Sequence, residues 1–223
     1  MSDGKRDAGD LPVIAAVHDL PGAHYVHYSL RQTRWGTPIL YIDGVQMHVT
    51  AVGDPIEYTM RLAKLVVPRS EGSRVLDTCS GLGYTAIACR TAGAGEVMTI
   101  EVDPGVIAIR NVNPLSAGLE DPAITQITGD AGEMIRDFES ESFDAAIHDP
   151  PRLSRAGELY GQAFYGELFR VLKPGARCFH YTGDPGGRSG KDLARGVGQR
   201  LKRAGFTVRP MPDLQGILCW RRG

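Results

Sequence analysis

From Arg74 onward the chain repeats one pattern: a short β-branched run, a turn rich in glycine or acid, then a stretch with helical spacing. "RVLDTC" leads to "YTAIACRTAG", "EVMTIEVD" to "PGVIAIRNVNPL", and "ITQITGD" to "AGEMIRDF". "FDAAIHDPP" leads to "GELYGQAFYGELFRVLKPG", which reads as one long amphipathic helix stopped by Pro-Gly. A strand "ARCFHYTGDPG", a helix "SGKDLARGVGQRLKRAGF" with Leu193, Val197 and Leu201 four apart, and a last strand "LQGILCWRR" complete the series. Such alternation predicts an α/β fold, a doubly wound and mostly parallel sheet covered on both faces. Residues 1–66 read differently. Asp43-Gly44 inside "ILYIDGVQMHVT" signals a β-hairpin, and "DPIEYTMRLAKLV" signals a helix with Asp54 as N-cap and Pro55 in its first turn. The expected organisation is a small N-terminal β-hairpin extension with a linking helix (1–66), followed by a main domain (67–223).

Composition narrows the function classes. At 223 residues, 42% hydrophobic and 23% charged, the chain can bury a substantial core. A net charge of -1 gives no global attraction to nucleic acid or to acidic membranes, so a basic patch would have to be local. Cys79, Cys89, Cys178 and Cys219 show neither CxxC spacing nor a Cys/His ligand pattern, and read as reduced thiols with no metal site. No apolar run is long enough to span a bilayer, and "MSDGKRDAGD" is too polar for a signal peptide, so the expected location is the cytoplasm.

In an open parallel sheet, ligands bind at the carboxyl ends of the strands. "LDTCSGLGYTAIA" places Gly81 and Gly83 in such a turn, where backbone can approach a ligand and a helix N-terminus offers free N–H donors. "GLGYTA" alone fits a dinucleotide pattern, and equally a turn that needs glycine for packing. Asp77, just before the glycines, would repel a pyrophosphate and attract a cation. Glu101 at the next strand end can accept both ribose hydroxyls, and Asp130, after Gly129, can accept from an adenine amino group. Three acids around one glycine loop suit a nucleoside with a positive centre and no phosphates.

Taken in order, "VLDTCSGLGYTAI", "TIEVD", "ITGDA" and "FDAAIHDPP" resemble the successive motifs of the class I S-adenosylmethionine-dependent methyltransferases, over residues 74–220. With "HDPPR" and "FHYTGDPG", the chain also looks like a group of predicted archaeal methyltransferases. The resemblance implies that Asp77, Gly81 and Gly83 line the methionine part of S-adenosylmethionine, with Cys79 and Tyr84 also in the cofactor site. It implies Glu101 at the ribose and Asp130 at the adenine, with Val102, Gly129 and Ala131 also in the cofactor site. Cys79 departs from the pattern, since many members have glycine there.

The acceptor would meet "HDPPR". Asp149 can take a proton from an amine or hydroxyl, Pro150 and Pro151 fix the backbone, and Arg152 stands where base-amine methyltransferases carry an aromatic. Arginine suits a phosphate or carboxylate on the acceptor. "DPPR" also looks like the uracil C5-methyltransferases, but Gly183 occupies the place of their nucleophilic cysteine, which argues against a covalent adduct. His148 and His180, at strand ends, are candidates to flank the site. "WGTPILYIDGVQMHVTAVGDPIEYTMRLAKL" resembles the hairpin entry of spermidine synthase-like aminopropyltransferases, which would place Asp149 on their catalytic aspartate. Their glycine loop carries an acid that "CSGLG" lacks, and their second aspartate is Arg152 here. Methyl transfer to nitrogen or oxygen is therefore favoured, with aminopropyl transfer from decarboxylated S-adenosylmethionine as the alternative. Residues 188–203 hold Arg188, Lys191, Arg195, Arg200, Lys202 and Arg203 against only Asp192. That is a solvated helix face or a surface for RNA phosphates.

Overall fold

The computed structural model describes residues 13–16, 26–70, 72–183 and 188–222, with the side chains of 13–16 and 188–191 left aside. Four short strands come first: β1 (Val13–Ala16), β2 (Val26–Gln32), β3 (Pro38–Ile42) and β4 (Val45–Gln46). They pair consecutively and antiparallel, with Asp43 and Gly44 both at positive φ in a two-residue turn between β3 and β4. The expected hairpin is thus the last pair of a four-stranded sheet. Helix α1 (Pro55–Val66) starts where the Asp54 side chain accepts from the Ile56 N–H. Its apolar stripe Tyr58, Leu62, Ala63 and Val66 is buried.

The main sheet takes β5 (Arg74–Asp77), β6 (Glu96–Glu101), β7 (Ile124–Thr128), β8 (Phe143–His148), β9 (Leu172–Tyr181), β10 (Phe206–Met211) and β11 (Gly216–Arg221). Between them run α2 (Tyr84–Thr91), α3 (Pro104–Arg110), α4 (Ala131–Met134), α5 (Gln162–Val171) and α6 (Arg188–Arg203). The strand order is β10-β11-β9-β8-β5-β6-β7, parallel from β9 through β7 and antiparallel at β11 and β10. This is the α/β architecture expected. The order reverses between β5 and β8, so the loops after those two strands open a crevice at one end of the sheet.

Strand alternation sorts side chains between two cores. Val75, Val97, Ala145, Ile147 and Phe179 face α1 and α2. Leu76, Ile100, Ala146 and Cys178 face α4, α5 and α6. A third cluster joins the small sheet (Tyr28, Leu30, Leu40, Ile42) to Leu82, Tyr84, Val106 and Ile109.

Three expectations need correcting. The segment from Gly157 is not one helix: it forms a 3₁₀ turn (Gly157–Tyr160), breaks at extended Gly161 and resumes as α5. Pro174 and Gly175 do not stop that helix but lie in β9, where the register against β8 shifts by extra residues, a bulge that tolerates both. Strands β1, β2 and β10 add to the strands expected. β10 contains Pro210, which fits because it is the edge strand.

The small sheet docks through a close approach. Tyr28, 1% exposed, donates its hydroxyl to both Asp103 oxygens at 2.7 and 2.8 Å. Asp103 also caps α3. A Cβ on Gly105 would fall 2.3 Å from the Tyr28 ring. Gly105→Ala is therefore expected to cost about 1–3 kcal/mol of stability. Urea denaturation would measure it, and combining the change with Tyr28→Ala should recover much of the packing part of that loss.

Candidate active site

The glycine loop is held open by the strand ends on either side. Thr78 N–H donates to Ile147 O at 3.1 Å and Ser80 N–H to Ile100 O at 2.8 Å, so residues 78–80 thread between β8 and β6. Gly81 (φ 53) and Gly83 (φ 83) are left-handed, and a Cβ on Gly83 would strike Leu119 at 2.4 Å. Gly81 faces open space: a Cβ there would meet nothing within 4 Å.

Asp77 ends β5 and is fully buried. Its Oδ2 accepts from Thr99 Oγ1 at 2.7 Å and Thr85 Oγ1 at 3.0 Å, while Oδ1 has no partner among the described residues. Burial raises its carboxyl to about 7; the two threonine hydroxyls oppose the rise and the charges of Asp149 and Glu101 add to it. Glu101 ends β6. Its Oε2 accepts from Gly81 N at 2.8 Å and its Oε1 from Val102 N and Asp103 N, so the carboxylate ties the loop to the strand end. Burial raises Glu101 too, against those backbone donors. Asp149, just past β8, is half-buried and accepts no hydrogen bond among the described residues; burial raises it to about 7.

The alternation explains which groups meet. Asp77 follows Val75 onto the α1/α2 side, while Asp149 lies just past the end of β8, close enough for its charge to reach Asp77. The charge of Asp149 is felt from both cores, by Tyr58 of α1 and by Tyr160 beside α5, both pushed above the ordinary tyrosine range chiefly by burial. Tyr58 donates to Leu214 O at 2.8 Å. Tyr160 donates to Pro151 O at 3.0 Å and lies 3.5 Å from Pro150 O, pinning the proline pair.

His148 and His180 point to the other side and do not flank the site. Both are fully buried. His148 Nε2 donates to Leu159 O at 3.0 Å, which leaves Nδ1 to accept from Thr78 Oγ1 at 2.6 Å. His180 Nδ1 donates to Tyr181 O and Nε2 accepts from Tyr165 at 2.8 Å. Burial lowers His148 to about 4 and His180 well below its ordinary value, so both are neutral struts at physiological pH.

The remaining sequence candidates divide. Cys79 is half-buried at the loop, its thiol raised mainly by burial. Val102 lies beside Glu101 with 57% of its surface exposed, an apolar face free for a base. Asp130, exposed, caps α4 through Oδ1 and leaves Oδ2 without a partner among the described residues. Gly129 packs against Met134, and the Ala131 side chain is buried in the core, so both meet the crevice only through backbone. Tyr84 turns away from the crevice: its hydroxyl donates to Pro38 O and accepts from Asn113, fastening the small sheet. Pro150 is buried, while Pro151 and Arg152 are exposed. Of the basic helix, Arg195 pairs with Asp192 at 2.8 Å and Arg200 leans on Tyr165. The side chains of Arg188 and Lys191 lie outside the described residues.

Sequence reasoning missed Thr85, Thr99 and Arg110. Thr85 follows Asp77 by eight residues inside "GYTA", a readable spacing. Arg110, 5% exposed, donates to Ser80 Oγ at 3.0 Å and partly offsets Glu101 and Asp77. Nothing in its helix pattern marks it.

No family model matches the chain. Over 94% of its length it superposes on spermidine synthase bound to a transition-state analogue, with a TM-score of 0.72, 19% identity and 73% of that chain covered. The fold is that of spermidine synthase. An uncharacterized protein of Methanocaldococcus jannaschii is 47% identical over 184 residues, 82% of this chain and 63% of that protein. Polyamine aminopropyltransferase 2 of Streptomyces coelicolor is 33% identical over 129 residues, 53% of this chain and 23% of that enzyme. Putrescine N-methyltransferase 2 of Nicotiana attenuata is 27% identical over 142 residues, 61% of this chain and 38% of that enzyme. The chain thus spans less than two thirds of the length of each of these sequence relatives. Among the described residues, no helix is long and apolar enough to cross a membrane.

The raised Asp77 carboxyl carries a sign. Its folded value near 7 exceeds its ordinary 3.8, so the native state holds the proton through that window and loses stability as pH rises across it. Asp77→Asn is expected to flatten the pH dependence of unfolding free energy between about pH 4 and 8 relative to the parent, by up to ~4 kcal/mol across the window. Denaturant titrations of both proteins at a series of pH values would check this.

Proposed function

We propose that this protein transfers a methyl group from S-adenosylmethionine to a nitrogen of an acceptor held at Asp149. The observation that carries the reading is the buried Asp77 oxygen with no partner, set beside Glu101 and Asp149 with little compensating positive charge. A buried carboxylate atom left unsatisfied is costly, and a cationic ligand relieves it. The rest of the crevice fits the same molecule. Open space at Gly81 accommodates the methionine portion, Glu101 offers a remaining lone pair to a ribose, and Val102 offers an apolar face to a base, with Asp130 Oδ2 at hand.

When bound, this cofactor would supply an electrophilic methyl carbon, the new N–C bond forming as the S–C bond breaks, with S-adenosylhomocysteine as the leaving group and one proton to be taken from the acceptor. Asp149 takes that proton on a carboxylate raised to about 7, a value suited to exchanging protons near neutrality. Pro150 and Pro151, pinned by Tyr160, keep the carboxylate from turning away. Neutral His148 and His180 support this loop from behind without adding positive charge.

The fold and the aminopropyltransferase relative support the same cofactor class, and the putrescine N-methyltransferases support methyl transfer on it. The glycine loop favours methyl transfer. Where aminopropyltransferases carry an acid, this chain has buried Leu82, leaving one negative group fewer for the free aminopropyl amine of the decarboxylated cofactor.

Calorimetric titration with S-adenosylmethionine and its decarboxylated form is expected to show preference for the intact molecule, and the reverse preference would replace this reading with aminopropyl transfer. Asp149→Asn is expected to lower turnover by about 10²–10⁴-fold while cofactor affinity stays within about twofold. A methyl-transfer assay on the acceptor drawn from an amine panel, run beside the titration, separates the two effects.

A further inference from the structure

The segment after β8 carries two opposite charges that nothing among the described residues neutralises. Asp149 accepts no hydrogen bond there, and the Arg152 guanidinium makes no hydrogen bond or ion pair either. Its neighbour Arg155 reaches Asp43 of the β3–β4 turn at 3.8 Å, so one arginine of the loop is anchored and the other is left over.

The two residues between them set their geometry. Proline fixes φ near −65°, and a residue preceding proline is driven into extended conformation. A backbone in that state repeats every three residues at about 3.1 Å each. Asp149 and Arg152 are three apart across Pro150 and Pro151, the first half-buried just past β8 and the second exposed. Tyr160 clamps both proline carbonyls and holds the spacer in place. Residues 150–157 hold Arg152 and Arg155 and no acid, so the segment between Asp149 and Glu158 is positive.

Resting on the methyl-transfer reading, we infer that the acceptor is a small zwitterion. Its amine sits at Asp149 and an anionic group, carboxylate or phosphate, sits at Arg152, which acts as the specificity-determining residue. A diamine of the same length would bring its second ammonium against Arg152, where like charges repel. A planar guanidinium binds either oxyanion in a bidentate fork, so the two anions share one recognition chemistry.

The test is equilibrium competition on the full chain saturated with S-adenosylhomocysteine, so that binding is read without turnover. Probes are ω-amino acids from glycine to ε-aminocaproate, phosphoethanolamine, and diamines of matched length including putrescine. At least one zwitterion is expected to bind about tenfold tighter than its matched diamine, with the carboxylate and phosphate arms identifying the anion. Arg152→Ala should abolish that preference and Arg152→Asp should invert it. Diamines binding as well as zwitterions, a preference that survives Arg152→Ala, or binding of no probe would each overturn the inference. A separate titration with S-adenosylmethionine distinguishes the failures. Loss of cofactor binding sinks the methyl-transfer reading together with this one, whereas cofactor binding without zwitterion preference sinks this one alone.

Discussion

Asp77 accepts hydroxyl hydrogens from Thr85 on α2 and Thr99 on β6, so a single carboxylate joins β5, β6 and α2 behind the glycine loop. The arrangement satisfies one oxygen and leaves the other buried without a partner among the described residues. A short hydroxyl on each neighbour is what permits this. A longer donor would fill the space, and a cation would discharge the group that the loop displays. Glu101 repeats the design one strand over, directing its oxygens to backbone N–H groups and so fixing the loop to the sheet. The field of the crevice is therefore built from acids held by neutral donors, with Arg110 as a partial counterweight set back in α3. Such preorganised, poorly solvated charge costs stability in the empty protein, and the loss is offset when a cation arrives.

The small antiparallel sheet docks on the segments that begin α2 and α3. Tyr28 and Tyr84 fasten it, the first to the cap of α3 and the second to Pro38 across from the glycine loop. Both aromatic side chains are buried. The same segments that begin α2 and α3 thus serve two ends: their backbones frame the ligand crevice while their side chains carry the wall. The contact between Arg155 and Asp43 is of another kind, long and exposed, and an ion pair of that sort contributes little.

Much of this was legible in the sequence because two periodicities rarely mislead over long stretches. The alternation of strands and helices, the Asp43-Gly44 turn and the Asp54 cap all carry local chemistry that the fold uses directly. What failed had non-local causes. Pro174-Gly175 looks like a helix stop, yet the strand it enters can absorb it as a bulge, a fact set by pairing with β8. β10 holds a proline and exists because it hairpins onto β11 at the sheet edge. Within the crevice, the acids at strand ends could be placed from sequence, since strand ends define where loops open. Tyr84 could not be: its helix position suggests proximity to a ligand, and only the small sheet reveals what its ring meets. Arg110 is a buried arginine on a short helix, and burial of that sort follows from tertiary packing alone.

His148 and Asp149 are adjacent in the chain, yet one is a neutral strut packed in the α5 layer and the other an ionisable group just past the strand's end. The strand works as a partition, with one residue of chain separating scaffold from reagent. Side chains on either side can drift independently, but the count cannot. Inserting or deleting one residue in β8 would turn the histidine out of its buried contacts and move the aspartate away from the end of β5, disturbing both roles at once. In this protein the length of one strand is therefore under tighter constraint than most of the letters that compose it.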